Sequence, residues 1–74
     1  MKKISVLIAG RHATSISLED EFYAALSEIA KAEKVSINDI ITKIDAEREK
    51  NNLSAAVRSY ILRYYRIRYL KTTT

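Results

Sequence analysis

The residues best able to make specific polar contacts lie in a short alternating stretch, residues 11–18. Ser15 and Ser17 are small hydroxyl residues that can both donate and accept hydrogen bonds. Arg11 stands at the start of the stretch with a cation that suits anions. Strict alternation places these side chains and Ala13 on one face of a strand. The opposite face carries Thr14, Ile16 and Leu18. The stretch therefore predicts a strand with one face on a core and one face available to a partner.

Other kinds of chemistry have little support in the sequence. Cysteine is absent and His12 is the single histidine, so neither a disulfide framework nor a thiolate metal site is expected. No paired carboxylates, nucleophile and base, or glycine-rich phosphate loop stand out. Asp39, Asp45 and Glu49 look like ordinary solvated helix charges. We therefore expect no enzyme, no cofactor and no metal.

Charge is strongly divided along the chain, whose net charge is +4. Residues 1–18 carry three basic residues and no acid, a net charge of +3. Residues 19–50 contain all nine acidic residues and five basic ones, a net charge of −4, and residues 51–74 have a net charge of +5. Basic ends around an acidic middle favour a polyanion as partner. A solvated helix face would explain the basic C-terminal part equally well.

The length of 74 residues predicts a single domain spanning residues 1–74, with a core modest enough that oligomerisation would help it. No segment approaches the roughly 20 apolar residues that span a bilayer. The apolar run after the first lysines is short and is soon followed by Arg11, which argues against a signal peptide. A cytoplasmic location without membrane contact is the expectation.

Residues 3–8 alternate as well, and two arrangements fit. A hairpin with the loop Ala9-Gly10-Arg11 pairs Ile8 with His12 and keeps the apolar side chains of both strands on one face. A single continuous strand over residues 3–18 has the same parity. The sequence does not distinguish them.

Three helices are predicted after Leu18. The first starts with acidic residues, which favour a helix N-terminus, and runs to about Ala32 with its apolar stripe at Phe22, Ala25, Leu26, Ile29 and Ala30. The second starts at Ser36, because Asp39 three residues later completes a variant of the capping box. The third spans about residues 53–70, with Asn52 as its cap.

The third helix mixes tyrosines with arginines, and two interpretations remain. Its apolar sector contains Leu53, Val57, Tyr60, Ile61, Tyr64 and Ile67. Tyrosine and arginine both contact phosphates, so this helix could serve nucleic acid. A core stripe whose hydroxyl groups reach water at its edge explains the same pattern.

The order of strand, helix, Ser-capped helix and added third helix resembles the ribbon-helix-helix family of DNA-binding proteins. The resemblance rests on Thr14-Ser15-Ile16-Ser17-Leu18, on the first-helix stripe and on Val35-Ser36-Ile37 with Ile40-Ile41. It is closest to a bacterial subgroup that reads Gly-His-x-Thr-Ser-hydrophobic-x-Leu and opens a third helix with Asn-Leu-Ser-x-Ala. Here these are Gly10, then His12 to Leu18, and Asn52 to Ala56, so the similarity covers about residues 10–66.

The resemblance implies an α+β fold and an intertwined homodimer that acts as a transcriptional regulator. Two strands from two chains would form an antiparallel ribbon that enters the major groove of double-stranded DNA. Arg11, Ala13, Ser15 and Ser17 would then face the bases. The second-helix N-terminus would bind a phosphate through Ser36, Ile37 and Asn38. Basic third-helix side chains are candidates for phosphate or partner contacts: Arg58, Arg63 and Arg66.

Three departures from the family pattern matter. The base-facing residues lack long side chains that read base edges. Lys34 stands where the family often has glycine. Finally, a hairpin formed with residues 4–8 would give four strands in the dimer, a sheet too broad for the groove, with Leu7 on its outer face. DNA binding would then be lost or altered. The alternative function is a protein-interaction module, antitoxin-like or an adaptor, on the same dimeric scaffold, with the third helix bound to a protein. A peripheral membrane helix over residues 53–71 is a further alternative.

Overall fold

The structure, a computed structural model, describes residues 1–48 and 52–73, with side chains as far as Tyr69. Its elements are β1 (Lys2–Ile8), β2 (His12–Leu18), α1 (Asp20–Glu33), α2 (Ile37–Glu47) and α3 (Leu53–Thr73). The fold class and the element order expected from the sequence are confirmed.

The two strands form an antiparallel hairpin, which settles the choice left open by the sequence. Ile8 pairs with His12, and Lys2 pairs with Leu18 at the far end. The loop closes through the Arg11 amide, which donates to the Ile8 carbonyl at 3.1 Å. Ala9 and Gly10 both have positive φ, 53° and 75°, as in the type I′ turn that suits hairpin twist.

One face of the hairpin packs on the helices. Val6, Ile8, Ile16 and Leu18 are buried there. The helices add their apolar stripes to the same core, namely Leu26, Ile29, Ala30, Ile40, Ile41, Ile44, Ala56, Val57 and Ile61. The predicted strand parity is thus correct.

The helix ends follow from local residue types. The Ser36 hydroxyl accepts from the Asp39 amide at 3.0 Å and the Asp39 carboxylate accepts from the Ser36 amide at 3.3 Å, so the predicted capping box is present. The Asn52 side chain accepts from the Ala55 amide at 2.8 Å, as a cap of α3 should.

The third helix continues beyond the core. Ile67, expected on its apolar stripe, is 54% exposed, whereas Ile61 is only 3% exposed. A helix of 21 residues is about 30 Å long, and the four other elements cover only its first part. The helical period therefore predicts the side of α3 on which Ile67 lies, but not how buried its side chain is.

Candidate nucleic-acid interface

The predicted base-facing residues lie together on the side of the hairpin turned away from the core. Ala13, Ser15 and Ser17 are exposed along β2, and Arg11 is exposed in the turn. The strand register adds three β1 residues directly opposite. We call the resulting surface the outer face; it consists of Lys3, Ser5, Leu7, Ala13, Ser15 and Ser17.

The backbone of β1 is bridged to α2 by one side chain. The Leu7 amide donates to Asn38 Oδ1 at 2.8 Å, and Asn38 Nδ2 donates to the Leu7 carbonyl at 2.9 Å. Both backbone groups of Leu7 therefore point away from β2. We call this pair of hydrogen bonds the Asn38 bridge.

The Asn38 bridge also reveals the hydrogen-bonding phase of the hairpin. In antiparallel pairs, opposite residues alternate between those that bond to each other and those whose backbone groups point outward. Because Leu7 is of the outward kind, its partner Ala13 is too, and so is the Ser5–Ser15 pair two residues along. The amides and carbonyls of Ala13, Ser15 and Ser17 thus lie along the free edge of β2. The sheet has no third strand in the described chain.

The predicted phosphate site at the start of α2 is altered by this bridge. The Ser36 hydroxyl and the Asp39 amide bind each other, and the Asn38 amide group is bound to β1. The backbone amides of Ile37 and Asn38 belong to the first turn, which lacks intrahelical acceptors. If a phosphate binds here, it meets these amides and not the Asn38 side chain, and it also meets the Asp39 carboxylate.

Asn38 links this helix end to the outer face. Its side chain, together with Ser5, Leu7, Ala13 and Ser15, lines a shallow depression on that surface. Ala13 and Ser15 of the predicted base-facing set therefore lie close to Asn38 of the predicted phosphate site.

The three predicted arginines of α3 lie elsewhere, since α3 packs through Val57 and Ile61 on the core face of the sheet. Arg58 is bound to Glu19, with Nε 2.9 Å from the carboxylate oxygen. This hydrogen bond from Arg58 lowers the pKa of Glu19 below its usual value. Arg63 and Arg66 are exposed. The structure does not bring these arginines to the outer face.

Two tyrosines of α3, Tyr64 and Tyr65, attach that helix to α1. The Tyr64 hydroxyl donates to Glu33 at 2.9 Å, and the Tyr65 hydroxyl donates to Glu28 at 3.0 Å. Burial, followed by these hydrogen bonds, raises the pKa of both tyrosines. Tyr60 and Tyr64 also pack against the core, which supports the core-stripe interpretation for these two residues, whereas Tyr65 lies off the predicted stripe and is 38% exposed. Tyr69 is 68% exposed.

A protein partner for α3 stays a prediction. Leu62 and Ile67 are 57% and 54% exposed on that helix. No helix of the described residues is long and apolar enough to cross a membrane. Across the same residues, no group of three histidine, cysteine, aspartate or glutamate side chains could hold a metal ion.

One feature of the interface was missed by sequence reasoning. Alternation put Lys3 and Leu7 on the face opposite Ile4, Val6 and Ile8, and the hairpin places them beside Ser17 and Ala13. The Asn38 bridge had no signal in the sequence, because it joins residues 31 positions apart.

Comparison with known protein families gives a match over most of the chain. The family model described as a ribbon-helix-helix domain matches residues 1–65. Neither the curated proteins nor the solved structures provide a match. The match includes both hairpin strands, whereas the resemblance noted from the sequence began near residue 10.

Proposed function

Because the chain belongs to the ribbon-helix-helix family, we propose that it is a DNA-binding transcriptional regulator that acts as a homodimer. Members of this family are typically DNA-binding regulators or antitoxins. The observation that carries the proposal is the free edge of β2, which lies beside an exposed face of small residues and belongs to a hairpin without acidic residues.

The second protomer pairs along β2. The outward amides and carbonyls of Ala13, Ser15 and Ser17 can bond only to residues of the same kind on the other strand. Antiparallel pairing centred on Ser15 satisfies this rule and uses the whole of β2, with Ala13 opposite Ser17 of the other protomer. The dimer then has a four-stranded sheet in the order β1, β2, β2, β1.

The two central strands face the major groove. Ala13, Ser15 and Ser17 approach the base edges, and Arg11 lies at the margin. Serine side chains are short, so base readout is weak and the affinity comes chiefly from phosphate contacts. At the sheet flank, the amides at the start of α2 supply one such contact, with Ser36 holding that helix end in place.

The test is a duplex-binding titration of the dimer by fluorescence anisotropy across a salt series. Binding that neutralises phosphates releases counterions, so the affinity should fall steeply as salt rises. Ser17→Glu should abolish binding and leave the dimer intact, because it adds an anion to the outer face. Ser59→Glu, on an exposed position of α3, is the matched control and should bind normally.

Two results would contradict the proposal. One is a folded protein that retains no duplex even at low salt. The other is a Ser17→Glu variant that binds as tightly as the wild type, since this would exclude the outer face from the interface.

A further inference from the structure

The hairpin gives the dimer a sheet that is broader than the groove it would enter. Neighbouring strands lie about 4.8 Å apart, so four strands span about 14 Å between the outermost backbones, before side chains are counted. The major groove of B-DNA is about 12 Å wide. If the two β2 strands occupy the groove, the β1 strands lie over its rims, where the phosphates are.

We propose that β1 is a rim strand that binds the DNA backbone, and that Lys3 makes its phosphate contact. This inference rests on the proposed function and adds a residue and a strand to it. Lys3 is the charged residue among the six of the outer face, all of which are described. It lies directly opposite Ser17, so it flanks the base-facing row.

The neighbouring lysine, Lys2, lies on the other face of β1 and points towards α1. Its amino nitrogen lies 5.2 Å from the centre of the Tyr23 ring. Such a cation–π contact holds the Lys2 cation towards α1. Two adjacent lysines of the same strand therefore have different environments, and Lys3 alone shares a face with Ser15 and Ser17.

The two copies of Lys3 in the dimer are placed so that each can contact a different DNA strand. With pairing centred on Ser15, the outer face has a row Lys3, Ser17, Ala13, Leu7, in which the last two belong to the other protomer. The dyad repeats this row in reverse, so the two copies of Lys3 stand at diagonally opposite corners of the sheet. Each corner lies over a different rim of the groove.

The Asn38 bridge keeps the rim strand in position. It bonds both backbone groups of Leu7, so β1 is fixed between β2 and the start of α2. Lys3 lies four residues from Leu7, about 13 Å along the strand. The Lys3 contact and the contact at the start of α2 thus reach separate phosphates.

The experiment compares Lys3→Gln with Lys2→Gln in the same duplex titration, each variant checked for its dimer mass by light scattering. Each lost phosphate contact lowers the slope of log affinity against log salt by about 0.9. A dimer has two copies of Lys3, so K3Q should reduce the slope by about 1.8, equally for all duplex sequences, whereas K2Q should keep the wild-type slope.

The outcomes separate this inference from the function it rests on. If the wild type shows a steep salt dependence and K3Q has the same slope, β1 is not a rim contact, although DNA binding stands. If K2Q and K3Q reduce the slope equally, the effect is one of net charge and the assignment to Lys3 is wrong. If the wild type binds no duplex, both proposals fail.

Discussion

Lys34 ends α1 in a left-handed backbone conformation, with φ 58° and ψ 40°. Its amide donates to the Lys31 carbonyl at 3.3 Å and the Val35 amide donates to the Ala30 carbonyl at 3.0 Å, which together form a Schellman motif. The Schellman motif requires a left-handed residue at this position, and the Cβ of lysine disfavours that conformation. The sequence identified the position through its place in the family pattern, but only the structure gives its φ.

We predict that Lys34→Gly stabilises the protein by about 1 kcal/mol, because glycine adopts the left-handed region without steric cost. Urea denaturation monitored by circular dichroism measures the change. Ala32→Gly is the matched control: Ala32 is exposed within the same helix, so glycine there should destabilise by about 1 kcal/mol. A loss of stability in K34G would show that the lysine side chain makes a compensating contact.

Asn38 illustrates a residue role that no sequence pattern indicates. Its place at the start of α2 suggested a phosphate ligand, whereas its side chain completes the edge of β1. The local signals near Asn38 concern the cap and the helix, and both were predicted correctly. A contact between an amide side chain and a distant strand depends on how the elements pack.

We predict that Asn38→Ala lowers stability by about 1–2 kcal/mol, the combined net value of two hydrogen bonds. The Leu7 amide should also exchange with solvent much faster, as hydrogen-exchange NMR would show. Asn38→Asp keeps the acceptor for the Leu7 amide and loses the donor to its carbonyl, so it should fall between wild type and N38A. Unchanged Leu7 exchange in N38A would mean that the bridge is not formed in solution.

At the scale of elements, the attachment of α3 to the start of α1 depends on pH through the pair of Glu19 and Arg58. The hydrogen bond from Arg58 lowers the pKa of Glu19 in the folded state. A lowered pKa contributes stability above the unfolded value of 4.5, and this contribution is lost as the pH falls through the folded value. The pair is partly exposed, so its effect is small.

We predict that the stability difference between wild type and Glu19→Gln is present at neutral pH and shrinks as the pH falls below 4.5. Thermal unfolding across a pH series measures it. Arg58→Gln should give the same pH profile as E19Q, and the double variant should add nothing, since both changes remove one interaction. Additive effects of the two substitutions would contradict a direct pairing.

The hairpin shows what the alternation of apolar residues predicts and what it leaves open. Alternation correctly placed Ile4, Val6 and Ile8 on the same face as Ile16, but a hairpin and a continuous strand share that parity. What separates them is the positive φ of Ala9 and Gly10. Glycine signals such a turn, whereas alanine does not, so only half of the turn signature is visible in the sequence and both arrangements stayed open.

At the scale of the whole molecule, the two edges of the sheet differ. The β1 edge is bonded to Asn38 at Leu7, and the β2 edge has no strand beside it in the described chain. Addition of a second protomer is therefore expected at β2 and not at β1. The sequence predicted a dimer from the family resemblance, and the difference between the edges supplies a way to test which strand forms it.

We predict that the protein has the mass of a dimer in light scattering, twice the 8.5 kDa of the chain, and that Ser15→Pro makes it a monomer. Proline removes the amide that Ser15 directs to the second protomer, without breaking a bond to β1. Ser5→Pro is the matched control. Ser5 lies opposite Ser15, its amide also points outward, and it is on the other edge.

Both proline substitutions put the same strain into one strand of the hairpin, so both variants should lose similar amounts of secondary structure. Only S15P should lose the dimer and, with it, duplex binding. A monomeric S5P beside a dimeric S15P would place the second protomer on β1. A folded wild-type monomer would contradict the pairing of two β2 strands. The outward amides of Ala13, Ser15 and Ser17 would then be hydrogen-bonded to water.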